Sequence, residues 1–333
     1  MERLKKTKYS ILDLAYRREG ETLHETFKNT LDSAKFADDL NFSRYWLSEH
    51  HNMENVASAA TSLLIGYVAQ GTNQIKVGSG GIMLPNHSVL SVAEQFGTLD
   101  ALYPNRIDLG LGRAPGTDQL TASVLRRGNQ LSHYDFEEEI KNLQQYFSVK
   151  NKESNVRAIP GEGANVPLYI LGSSTDSAFL AARLGLPYAF AGHFAHQQFY
   201  NAIEIYRSKF QPSEFLAQPY TIACVNIIAA NTDNEAHYLS MSMYQAFLNI
   251  ITDQRQPIVS PENTALELAS NEQKYILNGM TALSFIGCKN TLIQRFDEFI
   301  FETKIDEIMA SSNIFDQKAK RRNYKIISEI FGS

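Results

Sequence analysis

Residues 44–52 read R-Y-W-L-S-E-H-H-N, so a short apolar run from Tyr45 to Leu47 ends in a carboxylate and two adjacent imidazoles. Glu49, His50 and His51 are residue types that move protons or hold metal ions. A metal centre usually needs three or four convergent ligands at characteristic spacing. The chain has no His-x-x-x-His pair and no second acidic cluster in support, so no metal site is expected. An imidazole titrating near neutrality suits a general base or acid if substrate reaches it. It equally suits a hydrogen bond to a neighbouring loop. Successive strand residues face opposite ways, so Glu49 and His50 share a face only if the strand has already turned into its loop. The stretch by itself leaves both roles of His50 open.

Three further stretches carry chemistry. V-G-S-G-G-I-M-L-P, residues 77–85, sets Gly78, Gly80 and Gly81 inside an apolar strand. Glycine there marks a bulge or a close approach of backbone to ligand. A flat ring lying on bare backbone would use it, and so would tight packing. D-L-G-L-G-R-A-P-G-T-D, residues 108–118, places Arg113 behind Gly110 and Gly112. Its forked guanidinium could hold a phosphate or carboxylate, or pair with a neighbouring acid. L-G-S-S-T-D-S, residues 171–177, is a small-residue turn opening a helix. Backbone N–H groups, the helix dipole and the hydroxyls of Ser173, Ser174 and Ser177 could surround an anion there. Ser174 or Thr175 could also be a plain helix cap. The Gly-Lys-Ser/Thr of a Walker A loop is absent.

These stretches need a scaffold that brings strand ends together. Strand-like runs at 10–14, 44–47, 75–84, 106–111, 167–171, 188–191, 220–229 and 307–311 alternate with segments of helical periodicity. About eight strand–helix units without a linker predict an α/β fold, a (β/α)8 barrel forming one domain over residues 1–333 with insertions at its C-terminal face. In such a barrel the chemistry sits just after each strand. Two segments exceed ordinary loops: 151–165, expected over the barrel mouth, and 252–273, expected as a lid.

Composition narrows the function classes. With 333 residues and 44% hydrophobic content the chain can bury a large core, and a net charge of −5 supplies no field to draw nucleic acid or an anionic membrane. The basic cluster at 318–322 is expected as a solvated helix face. No apolar run reaches the ~18–20 residues that span a bilayer. The basic N-terminus lacks a following apolar stretch, so a cytoplasmic protein is expected. Cys224 and Cys288 lie in apolar surroundings without a Cys-x-x-Cys partner, and are expected as buried, reduced thiols.

The motifs Y-W-L-S-E-H-H-N, V-G-S-G-G-I-M-L-P-N-H, R-I-D-L-G-L-G-R-A-P-G-T-D and L-Y-I-L-G-S-S resemble those of the bacterial luciferase-like flavin monooxygenases, in the non-luminescent single-subunit group. The resemblance runs from about Ser10 to Phe331. It implies a (β/α)8 barrel binding reduced FMN supplied by a separate flavin reductase, with O2 giving a C4a-(hydro)peroxyflavin that oxygenates a small organic substrate. By motif, His50 matches the catalytic histidine and Glu49 the carboxylate beside it. Gly80–Gly81 matches a non-prolyl cis peptide lying against the flavin ring; Arg113, Leu171, Ser173, Ser174 and Ser177 match cofactor-binding elements. A homodimer is implied as well. Gly112 stands where the light-emitting subunit has a reactive cysteine, and Ser173 where it has a glutamate, so light emission is not implied. A deazaflavin-dependent oxidoreductase on the same barrel and a non-catalytic flavin-binding protein are the alternative readings.

Overall fold

The structure is a computed structural model, described for residues 2–126 and 134–332. Eight parallel strands close a barrel in the order β1 (Lys8–Asp13), β2 (Arg44–Leu47), β3 (Lys76–Met83), β4 (Ile107–Gly112), β5 (Leu168–Gly172), β6 (Tyr188–Ala191), β7 (Thr221–Ala230) and β9 (Glu307–Ser311), which pairs back to β1. The strands are apolar and buried almost throughout, as expected where helices cover a parallel sheet. Among the described residues no helix is long and apolar enough to cross a membrane.

A ninth strand, β8 (Ser284–Cys288), lies outside this ring. It pairs only with the upper half of β7, from Asn226 to Ala230, while Ile222–Asn226 pairs directly with β9. Five residues with an interior glycine gave the sequence reading no strand signal here. The preceding segment is also more ordered than a free loop. Ser270 and Gln273 form a capping box that starts a helix at Asn271–Met280. Ile258 is buried, donates to Arg17 O (3.0 Å) and accepts from Glu19 N (2.9 Å). Arg255 donates to Asn52 O (2.6 Å). Segment 252–270 is therefore docked across the loops that follow β1 and β2.

Two expectations are corrected. Residues 151–165 do not reach the barrel mouth. They join the helix Phe136–Phe147 to β5, and a helix-to-strand connection returns the chain to the opposite end of the sheet. There Asn165 N donates to Asp100, and Gly161 packs on Gly97 of the helix Val89–Leu102. The basic cluster at 318–322 is not wholly solvated either. Lys320 is buried with its ammonium 3.6 Å from Asp13, and Arg322 pairs with Glu235 at 2.7 Å. The helix Gln317–Phe331 packs on the barrel, and the buried Asp13 needs a counter-charge. Both cysteines are free, but only Cys224 is fully buried; Cys288 is half-buried.

The barrel interior below the site is polar at its centre. Arg44 spans it, donating to Asp108 (2.6 Å), Glu307 (2.8 Å) and the Tyr169 hydroxyl (2.8 Å), while Trp46 Nε1 donates to Asp108 at 3.1 Å. All of these side chains are buried. Burial opposes the charge on Arg44, but the two carboxylates prevail and raise its pKa well above the ordinary value.

Candidate active site

Glu49 organises the mouth. The chain leaves β2 and turns at once, so its carboxylate accepts from His51 Nε2 (2.9 Å), His87 Nε2 (2.9 and 3.0 Å) and Met83 N (3.0 Å). These donors belong to the loop after β2 and to the end of β3 with its following turn. Burial opposes ionisation of Glu49. The hydrogen bonds from His51 and His87, the His87 charge and the Met83 amide outweigh it and hold the pKa at about 2. Glu49 is 1% exposed and stands behind the cavity wall, not on it. His51 turns back onto Glu49 through its Nε2.

The loop after β4 is strapped to the same cluster. Gly116 O faces both His50 Nδ1 (3.1 Å) and His51 N (3.3 Å), and Asn86 donates to Pro115 O at 2.8 Å. Gly116 has φ +65°, and a Cβ there would stand 2.7 Å from Glu49 O. Only glycine suits that backbone and that approach. The sequence reading passed over Gly116 and His87.

With Nδ1 against a carbonyl, which can only accept, neutral His50 carries its proton on Nδ1 and keeps a lone pair on Nε2. His50 lines a cavity of about 380 Å³ together with Leu12, Leu14, Gly80, Met83, Leu171 and Phe194. Desolvation lowers its pKa, against the Gly116 hydrogen bond and the Glu49 charge. The Gly80–Gly81 peptide on this wall is cis, at an irregularity in the β3–β4 register between Ser79 and Ile82. A Cβ on Gly80 would stand 2.7 Å from Leu12 Cδ1, and one on Gly81 2.7 Å from Gly110 O. Barrel packing thus accounts for glycine at both positions, while Gly80 also faces the cavity and Gly81 does not.

The other end of the cavity is built for an anion. Arg113, Ser173, Ser174 and Ser177 line it. Ser174 sits at the N-cap of the helix Thr175–Leu184 but makes no capping hydrogen bond, so it is not a plain cap. Thr175 N is taken by Gln198 (2.9 Å). The Ser177 hydroxyl is committed to Ser174 O (2.7 Å) and the Tyr188 hydroxyl (2.9 Å), which leaves its backbone N–H. Arg113, Leu171 and Ser177 also line a neighbouring groove of about 650 Å³, with Tyr134, Glu137 and Arg183. Among the described residues, Nε and Nη2 of Arg126 and the Tyr134 hydroxyl meet no hydrogen-bond partner. Arg113 beside a helix start with free backbone N–H groups is an arrangement that suits an anion.

Sequence reasoning also missed His193. It follows β6 on the wall of the His50 cavity, and its buried Nδ1 meets no partner among the described residues. Burial, and then the nearby His50, push its pKa down to about 3. The rule that strand ends carry chemistry could have found it, in A-G-H-F-A-H at 191–196. Among the described residues, no group of three or more His, Cys, Asp or Glu is placed to hold a metal ion.

The family model for luciferase-like monooxygenases matches residues 7–286. The chain belongs to that family. As a luciferase-like monooxygenase family member it is 46% identical to the uncharacterized protein YvbT of Bacillus subtilis (strain 168), covering 98% of this chain and 97% of that one. It is 43% identical to the luciferase-like monooxygenase of Escherichia coli (strain K12), covering 97% and 96%. The crystal structure of apo-MsnO8 superposes with a TM-score of 0.91 at 30% identity over 98% of both chains. At the level of fold alone, neighbours include the oxygenating constituent of 3,6-diketocamphane monooxygenase in complex with FMN, from Pseudomonas putida (TM-score 0.69, 15% identity, 98% of both chains). An F420-dependent secondary alcohol dehydrogenase carrying an F420-acetone adduct is another (TM-score 0.69, 14% identity, 98% and 99%).

Proposed function

We propose that this chain is a flavin-dependent monooxygenase that takes reduced FMN from a separate reductase and uses O2 to oxygenate a small organic substrate. The observation that carries the reading is a cavity with an apolar, histidine-bearing end and an end lined by Arg113 and three serines. A planar ring with a phosphate tail matches it. When bound, reduced flavin supplies the electrons that activate O2.

The residues of the chain divide the remaining work. Arg113 and the backbone N–H groups at Asp176 and Ser177 hold the phosphate, with Ser173 and Ser174 hydroxyls at hand. Gly80 offers a wall without a side chain for the ring to lie on. Leu12, Leu14, Met83 and Leu171 keep water from the reacting face. His50, neutral at pH 7 and held through Nδ1, presents Nε2 to accept a proton or hydrogen bond. Glu49 positions His51, His87 and Met83, and through the Gly116 loop the orientation of His50. The solved FMN complex on this barrel supports FMN, while the F420 complex keeps the deazaflavin reading in view. The homodimer reading is supported by Leu63 and Tyr67, exposed on the helix Thr61–Gly71.

The test is a titration of the protein with FMN, photoreduced FMN and F420, followed by mixing the reduced complex with O2 in a stopped-flow spectrometer. Tight binding of reduced FMN and reoxidation kinetics distinct from free flavin are expected. Preferential F420 binding supports the deazaflavin reading. Identical reoxidation with and without protein refutes oxygen activation here and leaves a flavin-binding role.

A further inference from the structure

The two imidazoles of the cavity are wired in opposite senses. The Gly116 carbonyl fixes the His50 proton on Nδ1 and leaves Nε2 an acceptor. His193 has no such carbonyl: among the described residues no acceptor meets its Nδ1, which is buried. A buried N–H without an acceptor is rarer and costlier than a buried lone pair without a donor. The neutral ring therefore keeps its lone pair on Nδ1 and its proton on Nε2, the nitrogen left to the cavity. Its backbone is pinned by Asn226, whose side-chain amide donates to His193 O at 2.7 Å, and its ring stands edge-on to Phe194 with centroids 4.7 Å apart.

We propose that His193 is the substrate-anchoring residue of this cavity, donating through Nε2–H to the single acceptor group of a neutral, otherwise apolar substrate held across from His50. The substrate class follows from the walls and rests on the oxygenase reading above; the proton assignment does not. Away from the anion end the cavity offers Leu12, Leu14, Met83, Ala191 and Phe194, with Ser48 and the two histidines as its polar groups. Among the described residues no cationic side chain there would recognise a carboxylate. Desolvation and the proximity of His50 both disfavour a charged His193, which keeps it a neutral donor at pH 7.

The experiment uses the full chain labelled with 15N-histidine and long-range 1H–15N correlation spectra at pH 7. His50→Gln and His193→Gln assign the two rings by loss of signal. His193 is expected as the Nε2–H tautomer and His50 as the Nδ1–H tautomer. Cyclohexanone and methylcyclohexane then serve as matched probes in the presence of FMN. The ketone should move the His193 Nε2 resonance and the hydrocarbon should not. His193→Leu should weaken ketone binding by about tenfold, and His193→Gln, whose amide N–H reaches the same place, should restore most of it. A His193 proton on Nδ1, a charged His193 at pH 7, or equal responses to the two probes overturns the assignment. FMN affinity, measured separately on the wild type, judges the oxygenase reading independently of the tautomers.

Discussion

Replacing Glu49 with Gln keeps its shape and removes its charge. Three groups donate to that carboxylate at 2.9–3.0 Å, and its pKa falls from the ordinary 4.5 to about 2 although burial pushes the other way. A depressed carboxylate pKa contributes stability that is present above pH 4.5 and lost as pH falls through about 2. At about 1.4 kcal/mol per pH unit that drop is worth roughly 3 kcal/mol at pH 7. With 1% of the side chain exposed, solvent screens little of it. Urea unfolding followed through Trp46, the single tryptophan and fully buried, is the assay. Glu49→Gln should be about 3 kcal/mol less stable at pH 7, and the gap should narrow to about 1.5 kcal/mol at pH 3. A gap below about 0.5 kcal/mol at pH 7, or one that does not change with pH, would refute the claim that the ionised carboxylate ties the loops together.

The remaining expectations concern binding and the barrel wall. Arg113→Ala should weaken FMN binding by about 10- to 100-fold, the worth of a charge-assisted hydrogen bond, and leave riboflavin binding unchanged; fluorescence titration of both flavins reads the difference. Gly81→Ala drives a Cβ to 2.7 Å from Gly110 O, between two paired strands. It should lower stability by about 1–3 kcal/mol in thermal or urea unfolding. Arg44→Leu strands Asp108 and Glu307 in the interior and should cost about 3–5 kcal/mol at pH 7. Unpaired buried carboxylates have raised pKa values, so part of that loss should return as pH falls toward 5.

The sequence disclosed the barrel because its strands are short apolar runs at regular intervals, each followed by helical periodicity. It disclosed where to look, because Glu49–His50, Arg113 and Ser173–Ser177 follow strands and Gly80–Gly81 interrupts one. It did not disclose what each residue faces. Glu49 and His50 are adjacent in the chain, yet one ties loops behind the wall and the other lines the cavity, a division made by the turn after β2 and by Gly116 some 66 residues later. His87 and His193 acquire their places only when their loops fold over the mouth. β8 was illegible for a similar reason, since it earns its strand geometry from the overhang of β7 alone.

That overhang has a consequence for how this scaffold can vary. Because β7 pairs with β9 directly, barrel closure skips everything from residue 231 to residue 306. Where β7 rises past β9, side chains stand in for the missing neighbour: Asn323 accepts from Ala229 N (2.7 Å) and Ser312 donates to Ile227 O (2.9 Å). The excursion can therefore be lengthened, shortened or exchanged while the ring of hydrogen bonds stays whole. Its segment across the mouth becomes a replaceable module, a place where relatives could diverge in what they admit, and where an engineer could graft a different entrance onto an unchanged reaction chamber.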